Sequence, residues 1–233
     1  MEQCKNMFEK IYAWENLLDA YHHAASEKWF RDDVAAFSAH LGENLTDIQN
    51  SLIWKTYTVG RYHEFYVYEP KKRLVMALNF RDRVVQWAIY LQLNPLLDNQ
   101  FIYHSYGCRV GKGTTRAADQ LQYWMRMADR KPIPWYYLKL DISKYFYRVD
   151  HNVLLGILRR KFKGEDDLLW LMDKIINCDH TPFGLPPGLN VDDIPPSERL
   201  FEVGMPIGNL TSQLLANVCL NELDQYIKHE LRV

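Results

Sequence analysis

The 233-residue chain is 48% hydrophobic, 14% aromatic and 24% charged, a composition that can bury a core and excludes a disordered polypeptide. No run reaches the roughly 18 apolar residues of a membrane span, and the N-terminus lacks the basic and apolar regions of a signal peptide. A cytoplasmic protein without membrane contact is expected. The net charge of -1 conceals an asymmetry: residues 1–50 carry 4 Lys+Arg against 9 Asp+Glu, residues 51–116 carry 10 against 4, and residues 117–233 carry 14 against 16. A basic middle third fits a face that meets polyanion, or a solvated surface with counter-charges on neighbouring segments. Cys4, Cys108, Cys178 and Cys219 lack CxxC spacing, which argues against a zinc knot or disulfide framework.

The first 53 residues read as helices, with Phe8, Ile11, Tyr12, Trp14, Leu17, Leu18 and Tyr21, then Val34, Phe37, Leu41, Leu45, Ile48 and Leu52, recurring at helical spacing. Residues 56–69 alternate and are β-rich, with Gly60 as the expected turn, and Leu74 to Ala77 form the returning strand after Pro70-Lys71-Lys72-Arg73. A helix is expected from about Asp82 to Leu97, and another from Ala117 to Met127 after a Gly-rich basic connection. Tyr136 to Leu140 reads as a strand ending at Asp141. Asp150 is the expected N-cap of a helix over 151–163, and Leu168 to Ile176 form a further amphipathic helix. Residues 179–199 hold five prolines and two glycines and read as a loop, and a long helix runs from about 210 to 229. The expected class is α+β: a helical N-terminal region with small antiparallel sheets.

Four segments carry chemistry. In Leu138-Lys139-Leu140-Asp141-Ile142 a strand delivers a carboxylate at its end, and the Ile142 carbonyl can join Asp141 on a hard cation; the same pattern fits a turn-capping aspartate. In residues 204–213, Gly208 allows close backbone approach and small polar residues open a helix whose amides can meet phosphate or a base edge, or Asn209 simply caps that helix. Lys71, Lys72 and Arg73 at a hairpin tip, followed by Arg81 and Arg83, can clamp a triphosphate; a solvated turn and an internal ion-pair anchor at Arg83 and Gln86 are the alternatives. Arg109 and Lys112, set among glycines, suit contacts with nucleic-acid phosphates, without the spacing of a Walker loop.

In order, Arg81-Asp82-Arg83-Val84-Val85-Gln86, Ser105 to Thr114, Leu138 to Phe146 and Pro206 to Gln213 resemble the ordered blocks of bacterial reverse transcriptases, on the branch of group II intron, retron and diversity-generating retroelement enzymes. The resemblance runs from about Leu45 to the C-terminus. It implies a right-hand polymerase: fingers over 54–135 and part of the palm over 136–233, behind an N-terminal helical extension over 1–53. By position, Asp141 and Ile142 resemble metal-binding residues, and Phe146 the aromatic gate that rejects a 2′-hydroxyl. Lys71, Lys72 and Arg73, with Ile207 and Gly208, resemble residues that hold the incoming nucleotide. Arg81, Arg83, Arg109, Lys112, Asn209, Ser212 and Gln213 would face nucleic acid. The implied cofactor is Mg²⁺, with Mn²⁺ as its substitute, the substrates are deoxynucleoside triphosphates, and the partners are an RNA template and primer. Ile207 and Gln213 stand where the commonest pattern has Gln and Pro, a form that resembles the diversity-generating branch.

The family's Tyr-x-Asp-Asp block after the Ser212 helix is not in this sequence. Asp32-Asp33, Asp166-Asp167 and Asp192-Asp193 do not fit as substitutes, because two lie at or within helices and the third is stopped by Pro195-Pro196. The expectation is therefore an N-terminal piece of a longer polymerase, without a thumb and inactive alone. The alternative is an RNA-binding maturase-like or phage-defence module without synthesis.

Overall fold

The computed structural model describes residues 6–232, so Cys4 lies outside the described residues. The N-terminal region is helical as expected, in α1 (Met7–Tyr12), α2 (Trp14–Ala25), α3 (Asp32–Ala39) and α4 (Leu41–Ile53). Each turns its apolar stripe inward: Phe8 and Ile11, Leu17, Ala20, Tyr21 and Ala24, Val34 and Phe37, then Leu45, Ile48 and Leu52 are buried. Burying a side chain such as Leu17 or Ile48 stabilises by about 1.5–3 kcal/mol.

These helices pack on α5 (Phe80–Asp98), which also meets the later helix α9 (Leu210–Gln225). Helix α5 is apolar on more than one side, since Val84, Val85, Ala88, Ile89, Leu93 and Leu97 are all buried. Its start is fixed by Asn79, whose side chain accepts from the Asp82 amide at 2.9 Å. Helix α6 (Thr114–Asp129) has no buried residue. Helices α7 (His151–Lys161) and α8 (Asp166–Ile176) complete the core, and the Asp150 side chain caps α7 by accepting from Val153 N at 2.9 Å. Among the described residues, no helix is long and apolar enough to cross a membrane.

The one sheet among the described residues is an antiparallel hairpin of β1 (His63–Val67) and β2 (Arg73–Ala77), with Phe65 opposite Val75. Its turn lies at residues 68–72, not at Gly60. Gly60 instead marks a close approach: its amide donates to Asp82 Oδ2 at 2.8 Å, and a Cβ there would meet that oxygen at 2.8 Å and the Asn79 amide group.

The strand expected at Tyr136 to Leu140 is not formed. Tyr136, Tyr137, Leu138 and Leu140 are exposed by 90%, 92%, 81% and 74%, and no described residue pairs with their backbone. A strand exists only against a partner, so alternation and β-propensity alone do not hold this segment in a sheet. No residue between Phe101 and Val149 is fully buried. The expected helix to 229 is α-helical only to Gln225 and continues as a π-type turn over Tyr226–Glu230.

Candidate functional site

The segment Gly204 to Asn209 joins β2 to the start of α9. Met76 N donates to Ile207 O at 2.8 Å, which lays the Ile207 turn along β2. Gly208 has φ 127°, and a Cβ there would come within 2.9 Å of Met76 O and 3.1 Å of Val75 Cγ1. Only glycine satisfies both the dihedral and the gap. Gly208 itself is exposed, so this tightly held main chain faces outward.

Behind the turn the polar groups are buried and largely paired, with Gln86 Nε2 alone among them a buried donor without a partner among the described residues. Asn209 Nδ2 donates to Tyr62 Oη at 2.7 Å, and the Tyr62 ring stands edge-on to Phe183 at 5.2 Å. Burial pushes the Tyr62 phenol well up from its ordinary range. Gln86 Oε1 accepts from Thr211 N at 3.2 Å and from Thr211 Oγ1 at 2.8 Å, which ties α5 to the first turn of α9. Asn209 and Ser212 are only 5% and 4% exposed, and Asn209 holds the turn from behind through Tyr62. Gln213 is exposed.

Phe146 lies in a short 3₁₀ turn, Tyr145–Tyr147, on the other side of the same segment. Its carbonyl accepts from Met205 N at 2.6 Å, while Tyr145 Oη donates to Ala216 O of α9 at 2.9 Å. The Phe146 ring is half-buried, edge-on to Tyr145 at 5.8 Å. Phe146, Ile207, Gly208 and β2 are thus brought to one place from three separate stretches of sequence.

The other expected residues are distributed differently. Lys71 and Arg73 are exposed at the hairpin tip, without an ion-pair partner among the described residues. Lys72 donates to Asp192 at 2.8 Å. Arg81 donates to Ser51 Oγ at 3.1 Å and stacks on Tyr57, and Arg83 pairs with Asp33. Both are anchors between α5 and the N-terminal helices, the internal alternative for Arg83.

Arg109, expected at phosphate, is a correction. Its guanidinium binds the Asp98 carboxylate at 2.5 and 3.0 Å and the Ile102 and Ser105 carbonyls at 3.0 and 2.9 Å, with its side chain 7% exposed. Every nitrogen is engaged, so Arg109 folds its loop and is not available to phosphate. Lys112 lies over the Tyr103 ring at 3.6 Å and donates to Tyr103 O at 2.8 Å, a second internal use.

Asp141 and Ile142 sit in the exposed extended segment. Among the described residues no group of three or more His, Cys, Asp or Glu is arranged to hold a metal. Sequence reasoning did not pick out Tyr62, the buried Asp82, or the clamp in which Arg199 donates to both Glu64 oxygens at 2.7 and 3.1 Å.

Residues 68–233 match the family described as reverse transcriptase (RNA-dependent DNA polymerase). Protein YkfC of Escherichia coli is 30% identical over 150 residues, covering 64% of this chain and 35% of that protein. The group II intron-encoded protein LtrA of Lactococcus lactis is 23% identical over 241 residues, covering 97% of this chain and 36% of LtrA. The chain thus spans about a third of the length of these relatives. A chain of a solved partial Cas6-RT-Cas1--Cas2 complex shares the fold, with a TM-score of 0.56 at 20% identity over 93% of this chain and 34% of that one. With four ordered sequence blocks and a family match over residues 68–233, the chain belongs to the reverse transcriptase (RNA-dependent DNA polymerase) family.

Proposed function

We propose that the chain forms the nucleotide- and nucleic-acid-facing part of an RNA-directed DNA polymerase that copies an RNA template onto a primer. The observation that carries this reading is the gathering of β2, the Phe146 turn and the Ile207-Gly208-Asn209 turn by main-chain hydrogen bonds. In this reading the β1–β2 hairpin is the tip of the fingers, and Lys71, Lys72 and Arg73 neutralise the triphosphate of a deoxynucleotide. The Phe146 ring lies beneath the sugar, where a 2′-hydroxyl would clash with it. The outward main chain at Gly208 approaches the nascent base pair, and Gln213 faces the template. Asp141 supplies one carboxylate of the metal-binding set. Phosphoryl transfer depends mainly on positioning and charge neutralisation, which a cationic tip and a rigid turn provide.

Equilibrium binding of an RNA template annealed to a DNA primer, across a salt series, tests this reading. Affinity should fall with salt, by roughly 0.7–0.9 in log–log slope per phosphate contact, and Arg73→Ala should remove about one contact's worth. Salt-independent binding, or an Arg73→Ala variant with unchanged slope and affinity, would count against it.

A further inference from the structure

The acidic pair Asp192-Asp193 has no place in a metal site, yet both carboxylates are engaged. Asp193 accepts from the Asn190 amide and shapes its own turn. Asp192 Oδ1 accepts from Lys72 Nζ at 2.8 Å and from Tyr66 Oη at 2.9 Å, and the Lys72 ammonium stands 4.4 Å from the centre of the Tyr66 ring. A loop 120 residues away in sequence therefore holds one of the three cations of the hairpin tip.

The loop has a firm base and a more exposed end, where Lys144 Nζ donates to Leu189 O at 2.5 Å and Val191 packs partly against the core. At its base, Gly184 and Leu200 exchange main-chain hydrogen bonds at 2.9 and 3.0 Å. Beside them Arg199, with 3% of its side chain exposed, grips Glu64 of β1 with both terminal nitrogens. At its end, Lys72 and Asp192 are 46% and 47% exposed. An exposed single pair contributes little, because water and salt screen it and two side chains must be held still. The base stays on the hairpin while the end can exchange.

We propose that Asp192 is a built-in competitor for the anion site of the hairpin tip: in the free chain its carboxylate occupies Lys72, and the triphosphate of an incoming nucleotide displaces it and releases the end of the loop around Asp192. This rests on the reading of the tip as a triphosphate site. A triphosphate brings several charged oxygens against one carboxylate, and Lys71 and Arg73 stand beside Lys72 to receive them. The electrostatics agree. The hydrogen bond from Lys72 draws the Asp192 carboxyl below its ordinary range, and the bond to Asp192 raises the Lys72 ammonium. Each holds the other charged until a stronger anion arrives.

The test uses the whole chain and inorganic tripolyphosphate at low ionic strength, with binding followed by titration calorimetry. Asp192→Asn and Asp192→Ala should each bind about two- to fivefold more tightly than the native chain, the range an exposed pair supports. Lys72→Ala should bind more weakly, and in the Lys72→Ala background the gain from Asp192→Ala should vanish. Tripolyphosphate should also speed hydrogen exchange of the 186–195 amides in the native chain, where Asp192→Ala is already fast. Lys72-dependent binding that is unchanged or weakened by both Asp192 variants overturns the competitor and leaves the triphosphate reading standing. Binding indifferent to Lys72, or no binding by any form, overturns both.

Discussion

The amide of Met76 donates to the carbonyl of Ile207 at 2.8 Å, and that one bond brings the second strand of the hairpin against the turn that opens α9. The residue after Ile207 then has no room for a side chain. Gly208→Ala would drive a Cβ to 2.9 Å from Met76 O at a φ of 127°, which side chains rarely adopt. The expected cost is about 1–3 kcal/mol of stability, from a strained backbone and a displaced strand. Urea denaturation measures it, and a loss below roughly 0.5 kcal/mol, the size of an ordinary surface change, would show that the turn is not pinned.

Asp141 is exposed and, in the proposed reading, supplies one carboxylate of the metal-binding set, so in a polymerase-competent polypeptide containing these residues Asp141→Asn should abolish primer extension. Incubation with primer–template, deoxynucleotides and Mg²⁺ or Mn²⁺ checks this. Template-dependent products formed at an undiminished rate by Asp141→Asn would remove Asp141 from that set.

Phe146 presents a half-buried ring on a turn whose main chain is already tied to Met205. In a polymerase-competent polypeptide containing these residues, Phe146→Ala should lower selection against ribonucleotides by about 10- to 1000-fold, equivalent to about 1.4–4 kcal/mol. Phe146→Tyr should keep most of it, since the ring is what blocks. Single-nucleotide incorporation with matched deoxy and ribo substrates reads the ratio directly. If both efficiencies fall and their ratio stays fixed, Phe146 is packing alone.

Tyr136 and Leu138 are 90% and 81% exposed in a segment that alternates like a strand. Tyr136→Ser with Leu138→Ser should therefore change stability by no more than about 0.5 kcal/mol while reducing binding of a hydrophobic dye. A large destabilisation would place these side chains in a packed layer.

The contrast between this segment and the N-terminal helices shows what was legible in the sequence. Helical stripes such as Leu45, Ile48 and Leu52 announce themselves because a helix makes its hydrogen bonds internally and needs only a face to bury. The hairpin was legible for a similar reason, with both strands and the turn residues contiguous, although Gly60 misled because a close approach and a turn ask for the same residue. Tyr136 to Leu140 read as well as β2 did, yet a strand is a property of two segments. The site divided in the same way. Gly208 and Phe146 each stand in a legible local pattern, while the bond from Met205 N to Phe146 O that brings their two turns together was not legible. The partners of Arg109, Lys72 and Arg83 were not legible, because a cation in a sequence does not say whether an anion will come from the solvent or from Asp98, Asp192 or Asp33.

Arg109 makes the last case testable. Its side chain binds both oxygens of Asp98 and two carbonyls of its own loop, so its charge is spent inside the protein. Arg109→Ala takes its donors from that carboxylate and from the Ser105 carbonyl, while Ile102 O keeps the Ser105 amide at 3.2 Å, and should cost about 2–4 kcal/mol, somewhat less than a fully buried pair because Asp98 is 35% exposed. Lysine would not rescue it, since one ammonium cannot reach both carboxylate oxygens and the carbonyls in the same plane. The pair also has a pH signature. Hydrogen bonds from Arg109 hold the Asp98 carboxyl below its ordinary range. The stabilisation is thus complete above the unfolded value of about 3.9 and is lost as the pH falls through the lower folded value. The gap in stability between the native chain and Asp98→Asn should be constant from neutral pH down to about pH 5 and should close in more acid solution. Salt-dependent RNA affinity, compared at equal folded fraction, should not change in Arg109→Ala. A variant as stable as the native chain whose RNA affinity and salt slope both drop would return Arg109 to the phosphate-binding role that its sequence suggests.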